Sequence, residues 1–306
     1  MPIRLLAQRC ARGVAVLALL GLLLLPQPAA GPAWQGSRIA GSPAAVAPLP
    51  RGDARFLIVG LTQDLHRTDT LMVVQWDDSR HQVRILGVPR DIGVSVGGRG
   101  TTKIVHAYAT GGIGRARAAV VRLLNIPIAH YMVFSLPAMR HLVDLIGGVP
   151  LTVEKRMVYT DRQQGLFINL QPGPQRLDGA RAEQYLRFRN DPEGDIGRIR
   201  RQQRFLRAAL PSVHNPAVWM RLPRIIEAAR GDIDTDLTAS QMLGWVRRVE
   251  GLSADAISAY TIEGRPTVQW DELARMKLDF WQPDPDDLRA KVRWLLTGAV
   301  PPVTTP

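Results

Sequence analysis

Six arginines fall between Arg187 and Arg204 in the run YLRFRNDPEGDIGRIRRQQR. Guanidinium groups stay charged and present a planar fork of donors that matches phosphate oxygens in pairs. Asp178 is placed to cap a helix that runs to about Phe188, and Arg187 and Arg189 leave its last turn. Residues two apart do not share a helix face, so the chain must extend there for both to reach one target. NDPEGD then reads as a turn, with Asp195 capping the next helix. On that helix Arg198, Arg201 and Gln202 stand at i, i+3 and i+4, one face. Two arginines from a helix end and two from the following helix could therefore meet around one anion. The same run also suits a solvated face or surface ion pairs.

Two shorter stretches carry further candidates. In LGVPRDIGV, Pro89 ends an apolar run and presents Arg90 and Asp91 at its tip; Lys103 follows in TTKIVHAYATGG. In HRTDT, Asp69 stands just before another apolar run. A carboxylate beside a cluster of cations can bind Mg²⁺ (or Mn²⁺), which bridges phosphate oxygens, or can deprotonate an attacking hydroxyl. Plain readings exist for each: Asp69 as a turn residue, PRD as a strand end with a surface ion pair, Lys103 as exposed surface. His66, His106, His130 and His141 lack zinc-ligand spacing with cysteines and read as structural. No G-x-S-x-G, P-loop or dinucleotide fingerprint is present.

The elements that must position these residues can be read from the apolar runs. RFLIVG, TLMVVQW and QVRILGV are short and rich in β-branched residues, and so read as buried strands, the last two joined by the hairpin loop DDSRH. GRARAAVVRLLN and PAMRHLVDLIGG read as helices, AHYMVFS and VPLTVEK as strands. Helical patterns at residues 205–210, 216–230, 238–249 and 285–296, with a strand near 257–262, complete the chain. The expected class is α/β: a three-layer α/β/α domain with a central mixed sheet. It would span residues 53–298 as one domain, with a core over 55–210, a helical C-terminal part, and a disordered tail at 299–306.

Before that domain, Arg4, Arg9 and Arg12 precede the apolar run VAVLALLGLLLL and then PQPAAGPA. Residues 1–30 thus form an export signal, either cleaved near Ala30 or Ala33 or kept as a short anchor. Residues 31–52 read as a Pro/Ala/Gly spacer. The sole cysteine, Cys10, lies within the signal, so no disulfide can form. The formal charge of the 306 residues is +12, and without the three arginines 36 basic residues still face 27 acidic ones. An anionic partner follows: a phosphorylated substrate or a membrane surface. Nucleic acid is disfavoured by export and by the scarcity of aromatic residues for base stacking.

Taken in order, the series FLIVG, RTDTLMVVQWD, VRILGVPRDIGV, TTKIVHAYATGG, LIGGVPLTV and LDGARAEQYLRFRNDPEGDIGRIRRQQ resembles the LytR–CpsA–Psr (LCP) family of bacterial cell-envelope proteins. The resemblance implies a phosphotransferase that moves a glycan polymer from a polyprenyl-pyrophosphate carrier onto a peptidoglycan acceptor, at the outer or periplasmic face of the cell membrane. It implies that Asp69 stands near Mg²⁺, and that Arg90, Lys103, Arg187, Arg189, Arg198, Arg201 and Gln202 contact the pyrophosphate or its metal, with Asp69 and Arg90 at the chemistry. One position departs from the family pattern. Thr62 stands where members often carry an acid, which leaves Asp64 as a substitute ligand or Asp69 acting alone. A non-catalytic polyprenyl-phosphate- or glycan-binding protein, and a basic nucleic-acid-binding regulator, are the alternatives.

Overall fold

The computed structural model describes residues 52–61, 68–95, 100–162, 165–188, 201, 204–205, 207–209, 212, 233–248 and 252–300. It is an α/β domain with a central mixed sheet flanked by helices. The sheet has six strands in the order β11-β6-β1-β2-β3-β12. These are β1 (Ala54–Leu61), β2 (Thr68–Asp77), β3 (Gln82–Val88), β6 (His130–Phe134), β11 (Ile233–Thr235) and β12 (Ile257–Thr261). β2 and β3 pair antiparallel from Leu71↔Val88 to Asp77↔Gln82, as the hairpin reading requires, whereas β12 lies parallel to β3. β1 is buried along its whole length, which explains its mostly apolar sequence.

The described residues group into two compact units, one within 60–64 and 132–254, the other within 52–59, 65–131 and 255–300. In the first, α2 (Leu136–Leu145) starts at Ser135, whose side chain accepts from the Ala138 amide, with proline in its first turn. α3 (Gly179–Arg187) is capped by Asp178, whose carboxylate accepts from the Arg181 amide, as the sequence led one to expect. Two hairpin-like pairs accompany them: β7 (Val149–Val153) with β10 (Gly173–Leu177), and β8 (Met157–Asp161) with β9 (Leu166–Leu170). α3 sits tightly on α2, because a Cβ at Gly179 would lie 2.3 Å from the Arg140 carbonyl oxygen. α4 (Ala239–Arg248) follows β11.

In the second unit, β4 (Gly93–Ser95) and β5 (Thr101–Lys103) pair antiparallel and lead into α1 (Ile104–Leu124). α1 starts ten residues before the periodic stretch read as a helix and departs from helical geometry at Gly111 and Gly112. The pair of glycines interrupts the apolar period there, which hid the first turns. A hairpin, β13 (Gly264–Asp271) with β14 (Met276–Pro283), has no apolar run of its own and was not legible as strands. α5 (Pro285–Thr297) is capped by Asp284 and ends at Gly298 in the left-handed region. Its last carbonyls, Leu295 and Leu296, accept from Arg84 of β3 at 2.8 and 3.4 Å. Arg84 is 1% exposed and also binds Asp77 at 2.9 Å, so this buried charge is neutralised inside the core. Among the described residues no helix is long and apolar enough to cross a membrane.

Candidate functional site

Two clusters of cations stand out, one in each unit, and each is built by short-range geometry. In the second unit, Pro89 follows β3 and the chain turns, with the Ile92 amide donating to the Pro89 carbonyl. The tip so formed is fastened to the start of α1. The Ile104 amide donates to the Ile92 carbonyl at 2.8 Å and the Val105 amide to the Arg90 carbonyl at 3.2 Å. Two of the otherwise orphaned first amides of α1 are thereby satisfied, and Arg90 is held beside Lys103. Both cations then share one carboxylate. Lys103 Nζ lies 2.8 Å from Asp91 Oδ1, and Arg90 Nε lies 3.5 Å from Asp91 Oδ2. The Arg90 side chain is 43% exposed and that of Lys103 16%. Arg90 thus stands open to a ligand, while Lys103 is half sheltered, its ammonium 5.9 Å from the centre of the Phe280 ring.

Beneath Lys103 lies the fully buried carboxylate of Asp271. Burial alone would raise its pKa. Hydrogen bonds from the Ala274 and Lys103 amides and the Thr102 hydroxyl, with the positive field of His106, outweigh burial and hold it below the ordinary carboxylate value.

In the first unit the guanidinium of Arg187 ends α3 and is only 4% exposed; that of Arg201 is 2% exposed. These two therefore do not belong to a solvated face. Arg187 pairs with Glu183 one turn earlier on α3, and Glu183 also takes Arg140 from α2. Arg201 donates to the Phe188 carbonyl at 2.6 Å, stands 5.3 Å from the Phe188 ring centre and lies 3.7 Å from Glu154. Glu154 further accepts from the Tyr185 hydroxyl at 3.0 Å and faces Arg204 at 3.4 Å. Burial, and then the Glu154 charge, push the Tyr185 phenol well above its usual pKa, so it stays a donor. Phe188 is extended at the end of α3, as the arginine spacing required.

The candidates thus divide. Arg90 and Lys103 come together in one unit; in the other, Arg187 is held by Glu183 while Arg201 meets the carbonyl and ring of Phe188. Asp69 lies within β2. Arg189, Arg198, Gln202 and Asp64 lie outside the described residues, as does the Asp195 cap. Among the described residues there is no group of three or more His, Cys, Asp and Glu side chains able to hold a metal. Sequence reasoning missed the anionic partners: Glu183, Glu154, Asp91 as a bridge, and Asp271. Glu183 had a signal, since it precedes Arg187 by four on a helix. Glu154 and Asp271 meet their partners only through the fold.

Comparison with known proteins adds one decisive observation: the model of the LytR_cpsA_psr family matches residues 47–288. The chain belongs to the LytR–CpsA–Psr family. Among curated LCP relatives, the regulatory protein MsrR of Staphylococcus aureus (strain COL) is 35% identical over 176 residues, 57% of this chain and 52% of MsrR. The polyisoprenyl-teichoic acid–peptidoglycan teichoic acid transferase TagU of Bacillus anthracis (strain CDC 684) is 30% identical over 182 residues, 59% of this chain and 58% of TagU. The chain therefore spans little more than half the length of the curated relatives it matches. The fold is that of Bacillus subtilis TagV, with a TM-score of 0.65 at 22% identity over 81% of this chain and 97% of TagV. The structure of TagT bound to LI-WTA gives 0.60 at 20% identity, over 82% and 93% of the two chains.

Proposed function

We propose that this LCP protein is a phosphotransferase that moves a glycan polymer from a polyprenyl-pyrophosphate carrier onto peptidoglycan at the extracytoplasmic face of the membrane. Family membership over most of the chain supports the class, and so does the teichoic acid transferase activity for which TagU is named. One structural observation carries the reading to this chain: Arg90 and Lys103 are fastened side by side at the start of α1, sharing the Asp91 carboxylate. An anion with two oxygens can take over the role that Asp91 now fills.

On this reading Arg90 and Lys103 bind phosphate oxygens, with Arg189, Arg198 and Gln202 as further donors, while Arg187 and Arg201, buried against Glu183 and Glu154, are held in their own ion pairs. A hydroxyl of the peptidoglycan acceptor attacks the glycan-side phosphorus, and the P–O bond to the departing polyprenyl phosphate breaks. Fixed cations stabilise the charge that moves onto that leaving group, the main contribution open to a phosphoryl-transfer site. Asp69 accepts the hydroxyl proton or, with Asp64, holds Mg²⁺ or Mn²⁺. A bound divalent ion would neutralise pyrophosphate charge there.

Two measurements test this. A polyprenyl phosphate or pyrophosphate should co-purify with the exported chain and be seen by mass spectrometry. Asp69→Ala should abolish release of polyprenyl phosphate from a pyrophosphate-linked glycan while leaving lipid binding in place. Unchanged release in Asp69→Ala would defeat the assignment, and binding without any release by the wild type would favour a non-catalytic carrier-binding protein.

A further inference from the structure

Asp271 has no part in the proposed chemistry, yet it is one of the most heavily hydrogen-bonded side chains of its unit. Its Oδ1 accepts from the amides of Leu273 at 2.9 Å and Ala274 at 2.8 Å, closing the turn between β13 and β14. Its Oδ2 accepts from the Lys103 amide at 3.2 Å. The Thr102 hydroxyl lies 3.0 Å from each oxygen. That hydroxyl donates to the carboxylate, so its own oxygen is left to accept from His106 Nδ1 at 2.9 Å. His106 Nδ1 also lies 3.3 Å from Asp271 Oδ2. One buried carboxylate thus gathers Thr102, Lys103 and His106 across the β5–α1 junction.

The same hairpin reaches the lysine in two further ways. The Trp281 amide of β14 donates to the Asp91 carbonyl at 2.9 Å, and the Phe280 ring lies beneath the Lys103 ammonium. The hairpin also accompanies β5 just before the lysine, where the Glu272 amide donates to the Thr101 carbonyl at 3.0 Å. A lysine carries about 2 kcal/mol of rotamer entropy on its flexible stem, and fixing it before a ligand arrives lowers the cost of binding.

We infer that the β13–β14 hairpin is the positioning element of the phosphate-binding lysine, and that Asp271 is its positioning residue, acting on the ligand only through Lys103. This rests on the proposed role of Lys103 in binding pyrophosphate. It goes beyond that role because it assigns part of the ligand affinity to a hairpin whose own side chains need not touch the ligand.

The test uses the exported chain with its lysines reductively dimethylated. The sequence holds four lysines, Lys103, Lys155, Lys277 and Lys291, so the ¹³C-methyl spectrum is simple, and Lys103→Arg identifies the Lys103 line. Asp271→Asn keeps an acceptor for the turn amides but loses the one facing the Lys103 amide. The Lys103 line should move toward the shift of a free lysine, while that of Lys155 stays in place. An unmoved Lys103 line would overturn the inference, whether or not the protein binds a pyrophosphate. If Asp271→Asn does not fold, Thr102→Val is read by the same line and decides in the same way.

Binding of farnesyl pyrophosphate, measured by calorimetry on unmethylated protein, then tests the coupling. Asp271→Asn and Lys103→Ala should each weaken binding about ten-fold, and the double variant should be no weaker than Lys103→Ala within about two-fold. Losses that multiply to about a hundred-fold would show that Asp271 acts independently of Lys103 and would overturn the inference. A wild type that does not bind farnesyl pyrophosphate while the Lys103 line still moves would refute the functional reading and leave the positioning intact.

Discussion

The two cationic clusters solve the same electrostatic problem in opposite ways. Arg187 and Arg201 are buried, Arg187 against the equally buried Glu183 and Arg201 against the Phe188 carbonyl and Glu154. Arg90 and Lys103 share a partly exposed Asp91, which a ligand can replace. Removing one partner of a buried pair strands a charge in low dielectric, whereas an exposed pair contributes little to stability. The first cluster is therefore bound up with folding and the second is open to binding.

Arg84 sharpens that contrast, since it is as buried as Arg187 but ties Asp77 to the end of α5, with no place in the proposed site. Glu183→Gln and Arg84→Ala should each destabilise by about 3–5 kcal/mol, read as a shift in the urea midpoint at constant slope. They should differ in activity. Polyprenyl phosphate release per folded molecule should fall in Glu183→Gln, where Arg187 and Arg140 lose their shared anion, and stay unchanged in Arg84→Ala. Equal loss of activity in both would mean that burial alone, not proximity to the arginine cluster, governs the effect.

Gly179→Ala tests how α3 is seated. A methyl there meets the Arg140 backbone, which cannot rotate away, so α3 must move off α2. A cost of about 1–3 kcal/mol is expected, visible as a lower thermal midpoint. The Arg140–Glu183 pair joins these same two helices, so Gly179→Ala and Glu183→Gln should not add.

Acid should act on Asp77 and Asp271 of the second unit. Asp77 is subject to an upward push from burial, but donors from Ser79, Arg80 and Arg84 overcome it and set its pKa well below the ordinary value. A carboxyl depressed in the folded state stabilises above its unfolded pKa of about 3.9, and that stability drains as pH falls from there through the folded value. Asp271 is shifted the same way. Stability measured by denaturant at pH 6 and pH 5 should differ little on their account, then decline below about pH 4. In Asp77→Asn the decline should be shallower, from a lower starting value.

How far all this was legible follows from which interactions are local. The strands β1, β2 and β3 were readable because burial forces runs made mostly of apolar residues, interrupted by the buried Arg55, Gln75 and Arg84, and the Asp178 cap because its partner lies three residues away. Glu183 was readable in principle from its spacing to Arg187. The β13–β14 hairpin was not, since GRPTVQWD and MKLDFWQP mix polar and apolar residues as half-exposed strands do. Asp271 reaches Thr102 across 169 positions, a separation at which no spacing rule operates. The arginines and lysine announced themselves by composition; the carboxylates that hold them did not.

Arg90→Ala is expected to have the smallest effect on stability and a clear one on function. Its side chain is 43% exposed, and its contact with Asp91 at 3.5 Å is long for an ion pair. Stability should change by no more than about 0.5 kcal/mol, the usual range for surface positions. A charged hydrogen bond to phosphate contributes about 1.5–3 kcal/mol, so farnesyl pyrophosphate binding should weaken by roughly ten- to a hundred-fold. Arg90→Lys should recover only part of that, because an ammonium cannot reproduce the two-pronged contact of a guanidinium with phosphate oxygens. A variant with wild-type affinity would place Arg90 among the surface charges and leave Lys103 as the one cation of this cluster that meets the ligand. A large loss of stability would instead put Arg90 with Arg187 and Arg201, and the division between folding cations and binding cations would fail at its exposed end.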